Sequence, residues 1–303
     1  MQPQPHSVEY FGPQRDLWWN RDFLDLMARR WRLSEAASLA DIGCGRCHWS
    51  RLLYPYLRQP ARLAAVDREP QWVREGEQQF LQAFPGADPK LLQFVQGDAE
   101  KIPLPDNSYD VVTCQTVLMH LCEPLVALRE MLRITRPGGI VICTEPNNLS
   151  NAMGFTSLTH EEPVETVLRR FEFWLRCFRG KVALGGGNNS IGDLLPGYFG
   201  RVGLTEISVY LSDRAIPVLP PYEVPEQRTL LEQDRVWKEF NTGPWNQTEV
   251  RERVLAGGGS AEFFDRVFCE LVERFEKEQA AIKAGEYHVA GGGCTYLVSG
   301  RKR

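Results

Sequence analysis

The 303-residue chain lacks the features that mark several large classes of protein. No apolar run reaches the ~18 residues that a membrane-spanning helix needs. The N-terminal sequence MQPQPHSVEYFGPQ has no basic segment followed by an apolar one, so no secretory leader is predicted. Charge of one sign is not in excess either, because 35 Lys and Arg stand against 39 Asp and Glu. The chain therefore has no overall field for nucleic acid or an anionic membrane, and we expect neither as a partner.

The eight cysteines lack the spacing of a disulfide framework or a zinc site. They are spread along the chain and mostly lie in apolar runs, which is typical of reduced thiols in a protein core. Cys44 and Cys47 form a C-x-x-C pair, but no second Cys or His pair with zinc-site spacing follows. We therefore expect no metal site, and a reducing, cytoplasmic environment fits best.

Short apolar runs alternate with segments of helical periodicity from residue 37 onward. Helices are predicted between the runs, for example over 69–84 and 123–135. Because the runs are apolar on both faces, they predict a parallel sheet covered by helices on each side, which is a doubly wound α/β fold. In such sheets ligands bind beyond the C-terminal ends of the strands. The five predicted strands are 37–43, 62–67, 91–98, 109–115 and 139–146, the last after the turn RPGG.

The remaining segments predict helices and two further strands. An amphipathic helix over 15–33 precedes the first strand, and strands at 205–213 and 294–300 complete the sheet. One predicted helix has Ser260 as its N-cap and ends at Gly285. The segment RRFEFWLRCFRGK is basic and aromatic, a composition that also occurs in nucleic-acid-binding proteins. Its apolar residues have helical spacing, so we interpret it as a helix with one buried apolar face and a solvated basic side. That predicted face consists of Val164, Val167, Phe171, Trp174 and Phe178.

Polar residues follow four consecutive predicted strands. In LADIGCGRCHWS, Asp41 ends the first strand and two glycines shape the turn, which lets the backbone approach a ligand closely. Asp67, Asp98 and Gln115 end the next three strands. A carboxylate at the end of the second strand suits the hydroxyls of a ribose. A glycine pair after a strand also occurs in ordinary tight turns and does not by itself indicate a ligand. The polar residues that end the other three strands are therefore the observation that favours a nucleoside site.

Together, LADIGCGRC, AVDRE, QGDAEKIPLPDNSYDVV and LMHLCEPLVALREMLRITRPGG resemble a class I S-adenosylmethionine-dependent methyltransferase of the group acting on small molecules. The specific resemblance covers residues 37–146. It implies a Rossmann-like, seven-stranded, mostly parallel sheet whose last strand runs antiparallel. One departure from the family pattern is Cys47, which stands where a third glycine is usual, and we expect tighter packing there.

The resemblance also implies site residues. The first motif would border the methionine moiety, the acid of the second strand would bind the ribose, and Trp72 would lie near the adenine. In this family an N-terminal helix can close over the cofactor, with an aromatic residue covering the sulfonium and an arginine binding the carboxylate. The candidates here are Arg21, Trp18, Trp19 and Tyr10. Tryptophans on a helix are, however, more often core residues. The implied cofactor residues are Asp41, Gly43, Gly45, Asp67, Arg68, Asp98, Ala99, Gln115 and Arg21.

Three residues are candidates for the chemistry of the acceptor. His120, just after the fourth strand, is the best-placed general base because an imidazole titrates near neutrality, although it could equally pack at a helix start. Glu145 and Asn147 follow the fifth strand, where substrates of the family are often met. Pro146 and the asparagines could instead simply shape a turn.

The sequence divides into a helical N-terminal cap (1–36), a cofactor-binding core (37–146) and a remainder (147–303). In the remainder, insertions at about 147–204 and 214–286 are predicted to form a helical cover over a small, partly apolar acceptor. Their aromatic helices could instead pair two subunits into a homodimer.

Methyl transfer to such an acceptor is the favoured function. The alternatives are, in this order, an NAD(P)-dependent oxidoreductase and a non-catalytic S-adenosylmethionine-binding protein. The oxidoreductase is disfavoured because Gly43 and Gly45 are followed by His48, where a dinucleotide fingerprint needs glycine.

Overall fold

The computed structural model describes Arg15 and residues 17–303. They contain a seven-stranded sheet in the order β3-β2-β1-β4-β5-β7-β6. β7 is antiparallel to β5 and β6, and the other neighbouring strands are parallel, which confirms the predicted doubly wound sheet. The strands are β1 Ser38–Ile42, β2 Arg62–Asp67, β3 Leu92–Gln96, β4 Tyr109–Gln115, β5 Thr135–Pro146, β6 Thr205–Leu211 and β7 Thr295–Arg301.

The helices of the described residues fall into two groups. Five belong to the unit that contains the sheet: α1 Arg21–Trp31, α2 His48–Leu53, α3 Pro70–Ala83, α4 Pro124–Ile134 and α7 Leu195–Val202. The others belong to a second unit: α5 Asn148–Asn151, α6 Val164–Ala183, α8 Pro225–Glu239, α9 Gln247–Ala256 and α10 Ala261–Ala284.

Alternate residues of each central strand are buried on opposite faces of the sheet, as strand geometry requires. Leu39, Val111 and Ile142 pack with α1, α2 and α3 on one face, here called the α1 face. Ala40 and Val112, each one residue along, pack with α4 and α7 on the other. Both faces of the sheet are covered by helices, which explains why the sequences of the central strands are continuous apolar runs.

Two elements have boundaries that differ from the prediction by more than two residues; β3 ends at Gln96, so Asp98 follows that strand rather than ending it. The N-terminal helix begins at Arg21, six residues later than the predicted start at 15, and it ends where Arg32 adopts a left-handed conformation (φ 57°). β5 already begins at Thr135, because that residue pairs with Tyr109 before a shift in register re-aligns Val111 with Ile140. The predicted RPGG turn is therefore an irregularity within the strand.

The sheet unit comprises residues up to 146 together with 191–213 and 295–303. It thus includes residues 191–204, which the sequence analysis counted with the first insertion. The reason is burial: Ile191, Leu195 and Phe199 pack into the apolar cluster on the α4 face of the sheet.

The second unit comprises residues 147–190 and 214–294 and has its own apolar cluster, formed by α6, α9 and α10. The predicted face of α6 is displaced: Trp174 and Phe178 pack against this cluster as partly buried side chains, but the fully buried residues lie one position earlier. Val164 is 67% exposed, whereas Phe173 and Cys177 are buried. α9 passes so close that a Cβ on Gly180 would lie 1.7 Å from the Arg253 carbonyl oxygen, and this contact decides which side of α6 is covered.

The caps of α10 are confirmed. The Ser260 hydroxyl accepts a hydrogen bond from the Phe263 N–H at 3.1 Å, and Gly285 ends the helix at φ 73°.

Candidate functional site

The turn between β1 and α2 runs in left-handed conformations that favour glycine. Gly43 has φ 68° and Gly45 has φ 50°. The N–H groups of Gly43 and Cys44 donate to the carbonyl of Val66 at 2.7 and 3.0 Å, which ties the turn to the end of β2. Cys47 has φ 57°, the same conformation in a non-glycine residue, and its side chain is fully buried. The turn therefore keeps a glycine-like backbone where the usual third glycine is replaced.

Asp67, at the end of β2, is half-buried and bonded to this turn. One carboxylate oxygen accepts from the Gly45 N–H at 2.8 Å and the other from the Glu69 N–H at 3.0 Å. Burial raises the pKa of Asp67, and these two bonds oppose the rise. Since each carboxylate oxygen can accept two hydrogen bonds, Asp67 keeps capacity for two hydroxyl donors.

The end of β3 lies beside Asp67. The Gly97 N–H donates to the Asp67 carbonyl at 2.9 Å, which places Asp98 next to the end of β2. Asp98 is exposed and accepts from the Glu100 N–H at 2.8 Å, and Ala99 is half-buried. Asp67, Asp98 and Ala99 are therefore brought together as predicted from the order of the strands.

Of the two residues predicted near the adenine, Trp72 is buried and Arg68 is exposed. Trp72, on α3, is buried beneath the guanidinium of Arg46, which lies 5.4 Å from the ring centre and pairs with Glu75 at 2.7 Å. Arg68 is exposed, with its Nε 3.4 Å from Glu69. The sequence analysis did not single out Arg46, although its position inside the glycine turn was a usable signal.

Asp41 is buried on the α1 face of β1, beneath the turn. Its carboxylate accepts from the hydroxyl of Ser50, a residue of α2. Burial raises the pKa of Asp41 to about 7, with the Ser50 bonds opposing the rise. The spacing of nine residues between Asp41 and Ser50, from strand end to the following helix, could have indicated this pair.

Gln115 ends β4 on the same face and is 5% exposed. Neither its amide nitrogen nor its amide oxygen has a hydrogen-bond partner among the described residues. Buried amides without partners are rare, so this one is a strong indication of a bound group.

Glu145, on β5, has a task that the sequence analysis did not foresee. Its buried carboxylate accepts from the N–H groups of Val117 and Leu118 at 2.8 Å each and of Met119 at 3.3 Å. It thereby holds the segment after β4, which carries the half-buried His120. Burial raises the pKa of Glu145 to about 7. Its predicted contact with the acceptor stays a prediction.

Arg21 lies away from the strand ends, whereas Asn147 directly follows the last residue of β5. Arg21 lies over the ring of Tyr56, 5.6 Å from its centre, and 4.0 Å from Asp25. Asn147 is the first residue of the second unit, where its side chain accepts from the Ser150 N–H at 3.0 Å and caps α5. Trp19 is a core residue packed on Trp49 at 5.0 Å. Tyr10 lies outside the described residues.

The raised pKa values of Asp41 and Glu145 predict that the protein loses stability as pH rises from about 4 to 7. In that window the folded protein keeps two protons that the unfolded chain has released, because the folded pKa values of about 7 exceed the ordinary 3.8 and 4.5. Each group contributes a slope of up to about 1.4 kcal/mol per pH unit. Denaturant unfolding at pH 5 to 8 measures it.

The control for this experiment separates buried from exposed carboxyls. Asp41→Asn should flatten part of the slope, and Glu77→Gln, at an exposed position of α3, should leave it unchanged. A slope as steep in Asp41→Asn as in the unaltered protein would mean that this carboxyl is ionised in the folded protein.

Among the described residues, no group of three or more His, Cys, Asp or Glu could hold a metal ion. No helix within these ranges is long and apolar enough to cross a membrane.

Comparison with known sequences identifies the domain that contains the turn. The sequence model of the methyltransferase domain family matches residues 40–143. Over 145 residues the chain is 30% identical to a demethylmenaquinone methyltransferase of Geobacillus stearothermophilus, covering 48% of this chain and 58% of that protein. A demethylmenaquinone methyltransferase of Listeria monocytogenes is 26% identical over 132 residues, 43% of this chain and 52% of that protein. The chain thus spans less than two thirds of the length of these curated relatives.

Solved structures share the fold at low sequence identity. A Bacillus halodurans protein provisionally assigned as a methyltransferase has a TM-score of 0.52 and 16% identity, covering 93% of this chain and 99% of that one. The YcgJ protein of Bacillus subtilis has a TM-score of 0.51 and 19% identity, covering 94% and 99%. Residues 40–143 of this chain therefore match the sequence model of the methyltransferase domain family, within a sheet that shares the fold of these solved structures.

Proposed function

We propose that the protein transfers a methyl group from S-adenosylmethionine to a small, partly apolar acceptor. The observation that carries the proposal is the convergence of the glycine turn, Asp67 and Asp98 at the C-terminal ends of β1, β2 and β3, within the methyltransferase domain. The 30% identity to a demethylmenaquinone methyltransferase supports methyl transfer as the reaction class.

The residues at these strand ends fit S-adenosylmethionine. Asp67 retains lone pairs for both ribose hydroxyls while it is bonded to Gly45. Gly43 and Gly45 leave the turn without side chains where the methionine moiety would pass. Asp98 would accept a hydrogen bond from the adenine amino group, the Ala99 N–H would donate to the adenine ring, and Arg68 would lie near the adenine. Asp41 supports the turn from beneath through Ser50, so its contribution to binding is positional.

Bound S-adenosylmethionine would supply a methyl group from its sulfonium: an acceptor nucleophile would bond to the methyl carbon in line, and the carbon–sulfur electron pair would leave with the sulfur. The protein's contribution is alignment and exclusion of water. If the nucleophile carries a proton, His120 on the segment held by Glu145 would accept it.

The acceptor site extends the same proposal. Glu145 would contribute to the acceptor site by fixing the segment after β4. Asn147 remains a candidate for contact with the acceptor, and Arg21 for contact with the cofactor. The helical cover predicted from the aromatic insertions is retained as part of the proposal. The proposed setting is the cytoplasm, with a small molecule as partner.

Asp67→Ala should weaken binding of S-adenosylmethionine about 10- to 150-fold, because two charge-assisted hydrogen bonds to the ribose are lost, or about 1.5–3 kcal/mol. Titration calorimetry on the full chain measures the affinity. Asp88→Ala is the matched control, since Asp88 accepts from the N–H two residues ahead at 2.9 Å, as Asp67 does, but is exposed and away from the strand ends. Equal affinities in both variants would mean that Asp67 does not hold the ribose.

Thermal shift assays separate the alternatives. S-adenosylmethionine should raise the melting temperature, and the rise should grow with the logarithm of its concentration above the dissociation constant, whereas NAD(P) should cause no rise. A shift with NAD(P) alone would favour the oxidoreductase. Tight binding of S-adenosylmethionine without transfer to any acceptor tested would favour a non-catalytic binding protein.

A further inference from the structure

A set of buried polar atoms on the α1 face of the sheet is left without partners. Thr144 on β5 is the register neighbour of Gln115 on β4, and register neighbours in parallel strands project from the same face. Thr144 is fully buried, and its hydroxyl has no hydrogen-bond partner in the described part of the chain. With the two amide atoms of Gln115, three polar atoms on neighbouring strands are therefore unsatisfied.

Trp19 adds a fourth atom on this face. Its ring packs on Trp49, whose indole N–H donates to the Thr113 hydroxyl at 2.8 Å, and Thr113 lies two residues before Gln115 on the same side of β4. Trp19 also shares an apolar cluster with Leu297, the register neighbour of Thr144 on β7. Trp19 is 7% exposed, and its indole nitrogen finds no partner within the described ranges.

The three side chains, here called the Gln115 cluster, consist of Trp19, Gln115 and Thr144. An unsatisfied buried polar group costs the folded protein free energy, so several on one face of the sheet indicate a site that a ligand completes. An amide, a hydroxyl and an indole carry the polar atoms, and none of these ionises near neutral pH. The nearby buried carboxylates have partners of their own: Asp41 has Ser50, and Glu145 has the segment after β4.

This chemistry selects a neutral group that both donates and accepts. Trp19 can only donate, Gln115 can donate and accept, and Thr144 can do either. A hydroxyl has one donor and two acceptor lone pairs, so it can accept from the Trp19 indole and the Gln115 amide while donating to an oxygen of the cluster. A carboxylate or phosphate would have to be buried without a countercharge from this cluster, which is costly.

We propose that the Gln115 cluster binds the hydroxyl group of an uncharged acceptor, an alcohol or phenol whose apolar body packs on Trp19. This inference rests on the proposed function, because it names the acceptor class of that methyl transfer. Thr144 and Trp19 thereby become specificity-determining residues, and the amide of Gln115 serves the acceptor beside the implied methionine end of the cofactor.

The indole N–H of Trp19 gives a direct readout that needs no turnover. In the full chain with ¹⁵N-labelled tryptophan, Trp19→Phe identifies its resonance among those of the eight tryptophans. Added 4-methylphenol should shift this resonance saturably. Its methyl ether, 4-methylanisole, should bind about tenfold more weakly because it lacks the donor, and 4-methylbenzoate should have no effect. Equal binding of phenol and ether, or no shift with the phenol, would overturn the proposal.

Thr144→Val tests the site without removing a bond from the folded protein. It should weaken binding of 4-methylphenol about fivefold or more and should not lower the melting temperature, because it removes a buried hydroxyl that has no partner among the described residues. Thr113→Val is the matched control on the same face, because the Thr113 hydroxyl has two partners, Trp49 and the Ile142 carbonyl. That variant should melt about 2–6 °C lower. A comparable loss in Thr144→Val would show that its hydroxyl is already satisfied within the protein.

A calorimetric titration with S-adenosylmethionine separates this inference from the proposed function. Thr144→Val should bind the cofactor within about twofold of the original affinity, since the valine keeps the shape of the threonine. A tenfold loss would assign the cluster to the cofactor and overturn the acceptor site. If the unaltered protein does not bind the cofactor, the proposed methyl transfer fails, and the phenol titration still decides whether the hydroxyl site exists.

Discussion

Glu145→Ala is expected to lower the free energy of unfolding by about 3–5 kcal/mol, a large loss for one side chain. The substitution leaves the N–H groups of Val117, Leu118 and Met119 without the carboxylate that accepts from them, and it opens a cavity beneath the segment after β4. Chemical denaturation measures the loss. Methyl transfer should fall with it, because His120 is carried on that segment.

Glu145→Gln is the matched control. Val117 and Leu118 both donate to Oε1, which the amide oxygen of glutamine can replace, and only the 3.3 Å bond from Met119 to Oε2 is lost. The loss of stability should therefore be about 1 kcal/mol. If Glu145→Ala kept full stability and raised only the KM of the acceptor, the carboxylate would be a substrate contact, as the sequence analysis predicted.

Glu145 illustrates what the sequence could and could not predict. The strands follow from local composition, and β2 and β4 begin and end at the residues predicted, 62–67 and 109–115. The strand ends therefore placed Asp67 and Asp98 correctly beside each other. The partners of Glu145 lie 26 to 28 residues earlier in the chain, and no local pattern indicates which backbone groups a buried carboxylate will meet.

Packing between elements accounts for the other differences. The periodicity of α6 allows two adjacent apolar faces, and the close approach of Gly180 to α9 decides between them. Trp72 is buried under the guanidinium of Arg46 from the glycine turn, a contact that the sequence does not predict, and its place near the adenine stays a prediction. Thr144 reads as one more residue of a buried strand, and its unsatisfied hydroxyl becomes apparent only when its neighbours are known.

Gly76→Ala should destabilise the protein by about 3 kcal/mol and weaken S-adenosylmethionine binding at least about tenfold, although alanine is the better helix former. Gly76 lies in α3 where the helix contacts the glycine turn. A Cβ there would meet the Gly45 carbonyl oxygen at 2.7 Å and the Cys47 sulfur at 2.9 Å. Since the oxygen belongs to the backbone of the turn, relief requires the turn itself to move, and the Gly45 N–H would move away from Asp67.

Gly197→Ala is the control that isolates this contact. Gly197 also lies within a helix, α7, and a Cβ there would meet no atom within 4 Å. That variant should be stabilised by about 0.5–1 kcal/mol, because alanine loses less backbone entropy than glycine on folding. Denaturation and cofactor titration of both variants decide the outcome. Should Gly76→Ala gain stability as Gly197→Ala does, α3 would not press on the turn, and the close packing around Cys47 would have no part in shaping the cofactor site.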